Sequence, residues 1–193
     1  NTSHATRVTY KARKTGYFAS EARANLAMQN REELLRSMEL KGSPPPQLDH
    51  DEVAVFASPS FRTEMSYSTF DISVVDTDSI RVYVPAGQIF SLLPPELFSP
   101  SNDQAEDTVR TAPFVLPAPF SYTRTYQVVA PAGFTCVDPP EPQSITVGSF
   151  RFKMSAKVSE SDNLVLTTSL ETDDGRLTPQ QAEEFRDEVM WIT

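Results

Sequence analysis

The residues that could act in nucleophilic catalysis are few and lie far apart in this sequence. Such catalysis needs a nucleophile, a base and an orienting group. The one thiol belongs to Cys136, and the only imidazoles belong to His4 and His50. Residues 134–137 have the composition of a strand, in which a cysteine is usually a small buried hydrophobic residue. We therefore predict no catalytic residue in this chain.

Metal and cofactor sites are not predicted either. Two histidines and one distant cysteine do not make a zinc pattern, and the six glycines form no phosphate-binding loop. Two acidic clusters offer oxygen ligands for calcium without the spacing of a dedicated loop, so turn formation explains them. These clusters are Asp71, Asp76 and Asp78, and Glu171, Asp173 and Asp174.

Aromatic and apolar residues provide the candidate interaction surface. Tyr122 and Tyr126 lie on one face of a predicted strand, where they would serve either a peptide-binding or sugar-binding surface or the core. The candidate surface consists of Tyr122, Tyr126, Phe90, Leu93 and Phe98. An independent carbohydrate-binding or peptide-binding module, using Tyr122, Tyr126 or residues 61–67, is the alternative function.

Composition favours a mainly β chain. Of the 193 residues, 16 are proline and 6 are glycine, which is typical of short strands joined by stiff loops. Twelve phenylalanines and six tyrosines can form a substantial core. We expect an antiparallel β-sandwich or a strongly twisted sheet, with a short helix in the N-terminal region and a C-terminal helix packed on the sheet.

Charge and cysteine content restrict the partners. The net charge of −9 argues against nucleic acid, although Arg151, Lys153 and Lys157 form a local basic face that we interpret as solvated. A single cysteine excludes an internal disulfide framework, and no run of apolar residues is long enough for a membrane span. Since the chain opens at Asn1 without methionine, we expect either a processed protein or, in preference, a portion of a longer one.

The C-terminal quarter has the clearest pattern. Apolar residues alternate over 150–158 and 164–170, which predicts an antiparallel hairpin with a turn at 159–163. Thr178 then has the position of a helix N-cap, with Pro179 next and Gln181 completing a capping box. We predict a helix over 178–192 whose apolar stripe packs on the sheet.

The N-terminal half is harder to divide. Strands are predicted at 5–12 and 18–28 with a turn at 14–16, although the second segment could be helical. A capped helix should follow from Asn30 to Gly42, and the prolines at 44–46 should separate this 1–42 unit from a main domain at 43–193. Further strands are expected at 52–57, 62–75, 79–84, 120–129 and 134–137.

The proline-rich connection at 85–119 is too apolar for a solvated loop. We expect residues 89–98 to pack across an open edge or face of the sheet and to offer a docking surface for a preceding domain. Residues 99–107 are acidic and should be exposed and readily cut by proteases.

The order of several short motifs resembles a known bacterial family. The motifs are Gly16-Tyr17-Phe18-Ala19 with Arg23, a capped helix, Leu92-Leu93-Pro94, Arg110 with Pro113, Tyr126 followed by Pro131-Ala132-Gly133-Phe134, Pro140, and the final hairpin and helix. This layout resembles the C-terminal β-rich domain of unknown function that follows the transglutaminase-like (papain-like) domain of large exported proteins. The match is best over 122–192, but a tyrosine expected before Arg186 is missing.

The resemblance implies a non-catalytic accessory domain. The thiol site of such proteins belongs to the preceding domain, and no residue here matches its motifs. The implied partners are the preceding domains of the same polypeptide, with a peptide or a cell-wall glycan as further partners. The implied location is the periplasm or cell envelope of a Gram-negative bacterium.

Overall fold

The structure is a computed structural model that describes residues 6–28, 47–53, 60–69, 73–76, 79–81, 84, 86–98, 111–116, 118–130, 132–190 and 192. The strands are β1 (Thr6–Gly16), β2 (Gln47–Val53), β3 (Ser60–Thr69), β4 (Ser73–Asp76), β5 (Ser79–Arg81), β6 (Phe114–Val115), β7 (Phe120–Val129), β8 (Gln143–Val147), β9 (Phe150–Val158), β10 (Leu164–Thr172) and β11 (Arg176–Leu177). The helices are α1 (Tyr17–Met28) and α2 (Pro179–Met190), with two 3₁₀ helices, η1 (Ala86–Leu92) and η2 (Pro95–Leu97).

One antiparallel sheet organises the molecule. Its seven strands follow the order β2-β3-β1-β7-β10-β9-β8, and two small sheets pair β11 with β6 and β4 with β5. The predicted mainly β class with a C-terminal helix is therefore confirmed. Of the two predicted architectures, the described part of the chain agrees with one large sheet, which contains seven of the eleven described strands.

The core lies on one face of this sheet. Alternate residues of β7, β9 and β10 are buried, as the period of two in a half-buried strand requires. The helices η1, η2 and α2 supply Phe90, Leu97 and Phe185 to the same hydrophobic cluster. The expectation that residues 89–98 pack across the sheet is thus correct, and Ile89, Phe90, Leu93 and Leu97 belong to the core.

The predicted N-terminal hairpin is wrong. β1 runs through residues 14–16 without turning, and the following segment is the helix α1, as the alternative interpretation of 18–28 allowed. Gly16 lies at the junction with a φ of 61°, and a Cβ there would lie 2.0 Å from the carbonyl oxygen of Pro119. Glycine therefore ends this strand and begins a helix instead of forming a turn.

β1 occupies a central position in the sheet, where it pairs with β3 on one side and β7 on the other. Residues 6–16 consequently share one sheet with strands of the predicted main domain. The helix expected at 30–42 and the acidic segment at 99–107 lie outside the described residues.

The C-terminal predictions are confirmed closely. β9 and β10 form the predicted hairpin, paired from Phe150↔Thr172 to Val158↔Leu164. The capping box is complete, since the Thr178 amide donates to Gln181 Oε1 at 2.9 Å and the Gln181 amide donates to Thr178 Oγ1 at 3.2 Å. Two details differ: residues 134–137 are not a strand, and β8 was not predicted.

Candidate functional site

The predicted interaction residues belong to the core. Tyr122, Tyr126, Phe90 and Leu93 are 1%, 0%, 5% and 4% exposed, and the partly buried Phe98 packs against the same cluster. These side chains therefore do not form the exposed docking surface that the sequence predicts, because four of them face the core and Phe98 is only partly exposed. Side chains at 61–67 lie outside the described part of the structure.

A polar cluster is buried instead on the inner face of β1 and β7. It surrounds the guanidinium of Arg124, whose residue is only 8% exposed. We call it the Arg124 cluster. Its members are Tyr10, Lys14, Gln88, Tyr122, Arg124 and Tyr126.

Strand register brings the cluster together. Lys14, Ala12 and Tyr10 of β1 lie directly opposite Tyr122, Arg124 and Tyr126 of β7. Side chains on alternate positions of paired strands share one face. The small side chain of Ala12 opposite Arg124 leaves space for the guanidinium between its larger neighbours.

Neutral oxygens hold the guanidinium. Arg124 Nε donates to the hydroxyl of Tyr122, and Arg124 Nη1 lies 3.3 Å from Gln88 Oε1 and 3.5 Å from the Tyr126 hydroxyl. The guanidinium carbon also lies 4.9 Å from the ring centre of Tyr122 and 5.6 Å from that of Tyr10. Cation–π contacts of this kind partly compensate a desolvated charge.

A second cation approaches the same ring. Lys14 Nζ lies 5.2 Å from the ring centre of Tyr122. Burial and the charge of Arg124 lower the pKa of Lys14 to about 8, although Glu21 acts in the opposite direction. Burial and the neighbouring Tyr122 raise the pKa of Tyr10, so its phenol stays neutral at pH 7. The cluster therefore concentrates positive charge beside the neutral phenol of Tyr10.

Thr168 extends the cluster onto β10. It lies directly opposite Arg124 in the register and is 0% exposed. Its Oγ1 atom is buried without a hydrogen-bond partner, which costs free energy in an apolar core. The unpartnered hydroxyl of Thr168 thus lies in the same row of the sheet as Arg124.

The opposite face of the sheet carries hydroxyl groups between two borders of basic side chains. We call the outward side chains of β1, β7, β10 and β9 the polar face. Its central positions are Ser121, Thr123, Thr125, Thr167 and Ser169, and Thr15 Oγ1 lies 3.0 Å from Ser121 Oγ. Lys11 and Arg13 of β1 and Lys153 and Lys157 of β9 are exposed along its borders.

Ion pairing is concentrated at one end of the polar face. Arg151 donates to Glu171 at 3.0 Å and to Asp173 at 2.8 Å, so the acidic residues suggested as calcium ligands include partners of an arginine. No group of three or more potential metal-binding side chains occurs among the described residues.

Cys136 lies on an irregular segment and is partly buried. Burial and the nearby charge of Asp162 raise the pKa of its thiol. A catalytic cysteine needs the opposite shift, because the thiolate is the nucleophile.

Sequence reasoning missed Arg124, although a signal was present. In β7 the inward positions are Phe120, Tyr122, Arg124, Tyr126 and Val128, so one charged residue interrupts a series of large apolar and aromatic ones. A charged residue at a buried position of a strand is uncommon, and it indicates either a buried ion pair or a functional site.

The fold and the site define a mainly β module in which helices cover one face of a sheet and enclose an arginine–tyrosine cluster. Residues 87–189 match the family model described as a domain of unknown function with a solved structure, DUF3858. The chain belongs to this family. Comparisons with curated proteins and with solved structures found no match. No helix in the described ranges is long and apolar enough to cross a membrane.

Proposed function

We propose that this chain is a non-catalytic accessory module of a larger exported bacterial protein, where it packs against a transglutaminase-like domain or presents substrate to it. The order of the short motifs along the chain supports a module of this kind. The periplasm or cell envelope of a Gram-negative bacterium is the location that we propose with it.

The observation that carries the proposal is the difference between the two faces of the sheet. The helices η1 and α2 supply core residues on the inner face, whereas the outward positions of β1, β7, β10 and β9 supply no residue to the hydrophobic core cluster of the described residues. A broad, flat face of short hydroxyl side chains exposes few rotatable groups, so covering it costs little side-chain entropy.

The basic residues along the borders of the polar face determine which kind of surface it prefers to bind. One row across four strands consists of Arg13, Thr123, Ser169 and Lys153, so the Cα atoms of the two basic residues lie about 14 Å apart at the usual strand spacing. Basic borders on a chain of net charge −9 favour an acidic surface on the neighbouring domain.

Hydrogen exchange in the full-length protein and in the isolated module tests this function. Amides of β7 and β10 should exchange more slowly in the full-length protein, because the neighbouring domain covers the polar face. Reversing charge with Lys153→Glu and Lys157→Glu should remove that difference, and the matched reversal Arg176→Glu, on β11, should not.

Two results would contradict the proposal. One is identical exchange of the polar face in both proteins. The other is hydrolytic or transfer activity of the isolated module that disappears in Cys136→Ala.

A further inference from the structure

Hydrogen-bond donors exceed acceptors in the Arg124 cluster. Arg124 presents five N–H groups, of which Nε and Nη1 have the acceptors described above and Nη2 has none among the described side chains. Lys14 adds an ammonium group whose contact in the cluster is the face of Tyr122. Neither cation forms an ion pair within the described part of the chain.

The phenols add one more donor. The hydroxyl oxygens of Tyr10 and Tyr122 lie 3.0 Å apart, and that of Tyr122 also accepts from Arg124 Nε. Whichever phenol donates to the other, the O–H proton of the second phenol is not used in this contact. A group that only accepts hydrogen bonds would satisfy the surplus, and an anion would also balance the two cations.

The row of Arg124 contains a further unpartnered group. The buried Oγ1 of Thr168, on the strand next to β7, has no partner. This observation is independent of charge and points to the same place on the inner face.

The geometry permits a ligand to reach the guanidinium. Arg124 and Tyr10 are buried, but Gln88 is exposed and Lys14 is half-buried, so the cluster extends from the core to the surface. The two Nη1 contacts, at 3.3 and 3.5 Å, are longer than strong hydrogen bonds and can be exchanged at little cost.

We propose that the Arg124 cluster is a binding site for a carboxylate group. A planar carboxylate matches the edge of a guanidinium and accepts hydrogen bonds without donating any. Its single negative charge balances the one positive charge that remains when Glu21 is set against Lys14 and Arg124. The carboxylate belongs either to a small free acid or to an acidic side chain of a peptide. This site is independent of the polar face and of the proposed accessory function.

The test is an NMR titration of the isolated chain at pH 7 with sodium acetate, at constant ionic strength against sodium chloride. Acetate should produce saturable shifts at Tyr10, Lys14 and Tyr122 that chloride does not produce, and it should raise the pKa of Lys14. Shifts that are linear in acetate, equal in chloride or confined to the polar face would overturn the proposal.

Two variants of the Arg124 cluster and one control variant test which side chains hold the carboxylate. Arg124→Gln should weaken acetate binding about tenfold or more, as expected for hydrogen bonds to a charged group. Lys14→Met should weaken it also and provides a second test if Arg124→Gln does not fold. Lys153→Met, on the opposite face, should leave it unchanged. Undiminished binding in a folded Lys14→Met or Arg124→Gln variant would overturn the assignment.

A second titration identifies the source of the carboxylate. A Gly-Glu-Gly peptide with blocked termini is compared with its Gly-Gln-Gly counterpart. Saturable binding of the glutamate peptide but not the glutamine peptide supports a protein side chain as ligand, and binding of acetate alone supports a small free acid. Failure of both acetate and the glutamate peptide to bind overturns the proposal and leaves the accessory function unaffected.

Discussion

Lys14 carries its charge where burial and a neighbouring arginine both oppose it. Its pKa is lowered to about 8 from the ordinary value of 10.5. The native state therefore binds fewer protons than the unfolded state between about pH 8 and 10.5, and this residue contributes a gain in stability as pH rises through that window. Below pH 8 the full penalty is present, since both states are protonated.

Lys14→Met should accordingly raise the free energy of unfolding at pH 7, because the methionine keeps the apolar stem and removes the charge. The difference from the wild type should shrink between pH 8 and 10.5. Urea unfolding in carboxylate-free buffer at pH 7 and pH 9.5 measures both effects. The exposed Lys153→Met serves as the control, and a pH-independent difference would contradict the prediction.

Thr168 provides a second residue-scale prediction. Its buried hydroxyl has no hydrogen-bond partner, so Thr168→Val removes an unsatisfied group at nearly constant volume. We expect the free energy of unfolding to increase by about 1 kcal/mol in the absence of ligand. Thr167→Val, whose hydroxyl lies 3.4 Å from that of Thr125 on the polar face, is the comparison and should not stabilise the protein. A destabilised Thr168→Val would show that the hydroxyl is satisfied in solution.

At the scale of elements, α2 closes the inner face of the sheet through one aromatic residue. The ring of Phe185 lies 5.6 Å from that of Phe150 and 6.0 Å from that of Phe90, centre to centre. Phe185 is fully buried, so the helix and the η1 segment share one part of the core.

Phe185→Ala should lower the free energy of unfolding by about 3–5 kcal/mol, because truncation removes buried area and leaves a cavity. Thermal and urea unfolding measure the loss. Glu184→Ala, on the exposed side of the same helix, should change stability by less than about 0.5 kcal/mol. Similar melting temperatures for the two variants would show that α2 is not part of the cooperative core.

Elements defined by local signals could be predicted from the sequence, and those defined by distant partners could not. The β9–β10 hairpin and the capping box of α2 depend on residues close in sequence. The predicted turn at residues 14–16 is wrong because Lys14-Thr15-Gly16 has the composition of a turn although it lies within β1. Nothing in the local sequence shows that β1 pairs with β7. For the same reason the sequence indicates that Arg124 lies on the inward side of its strand, but it does not indicate the contacts of Arg124 with Tyr10 and Gln88.

At the scale of the whole molecule, the family match begins after the strands that complete the sheet. It starts at residue 87, whereas β1, β2 and β3 supply three of the seven strands. A fragment of residues 86–193 would thus lose the partner of one edge of β7 and the core side chains of Val8, Tyr10 and Phe18.

We expect this fragment to be less stable than the full chain and to self-associate through the exposed edge of β7, since unpaired edges favour intermolecular pairing. Light scattering after size-exclusion chromatography measures the association. A peptide of residues 6–16 should compete with it and restore hydrogen-exchange protection to β7. A monomeric fragment with the protection of the full chain would contradict the expectation.

The central position of β1 also determines when the sheet can be completed during synthesis. Tyr10 leaves the ribosome before its partner Tyr122, which lies 112 residues later in the chain. Until then β1 has one unpaired edge, whereas β9 and β10 can pair as soon as both have emerged. Pairings between distant segments form slowly and expose nascent chains to aggregation. Among the described strands of this sheet, β1 is therefore the one that waits longest for a pairing partner.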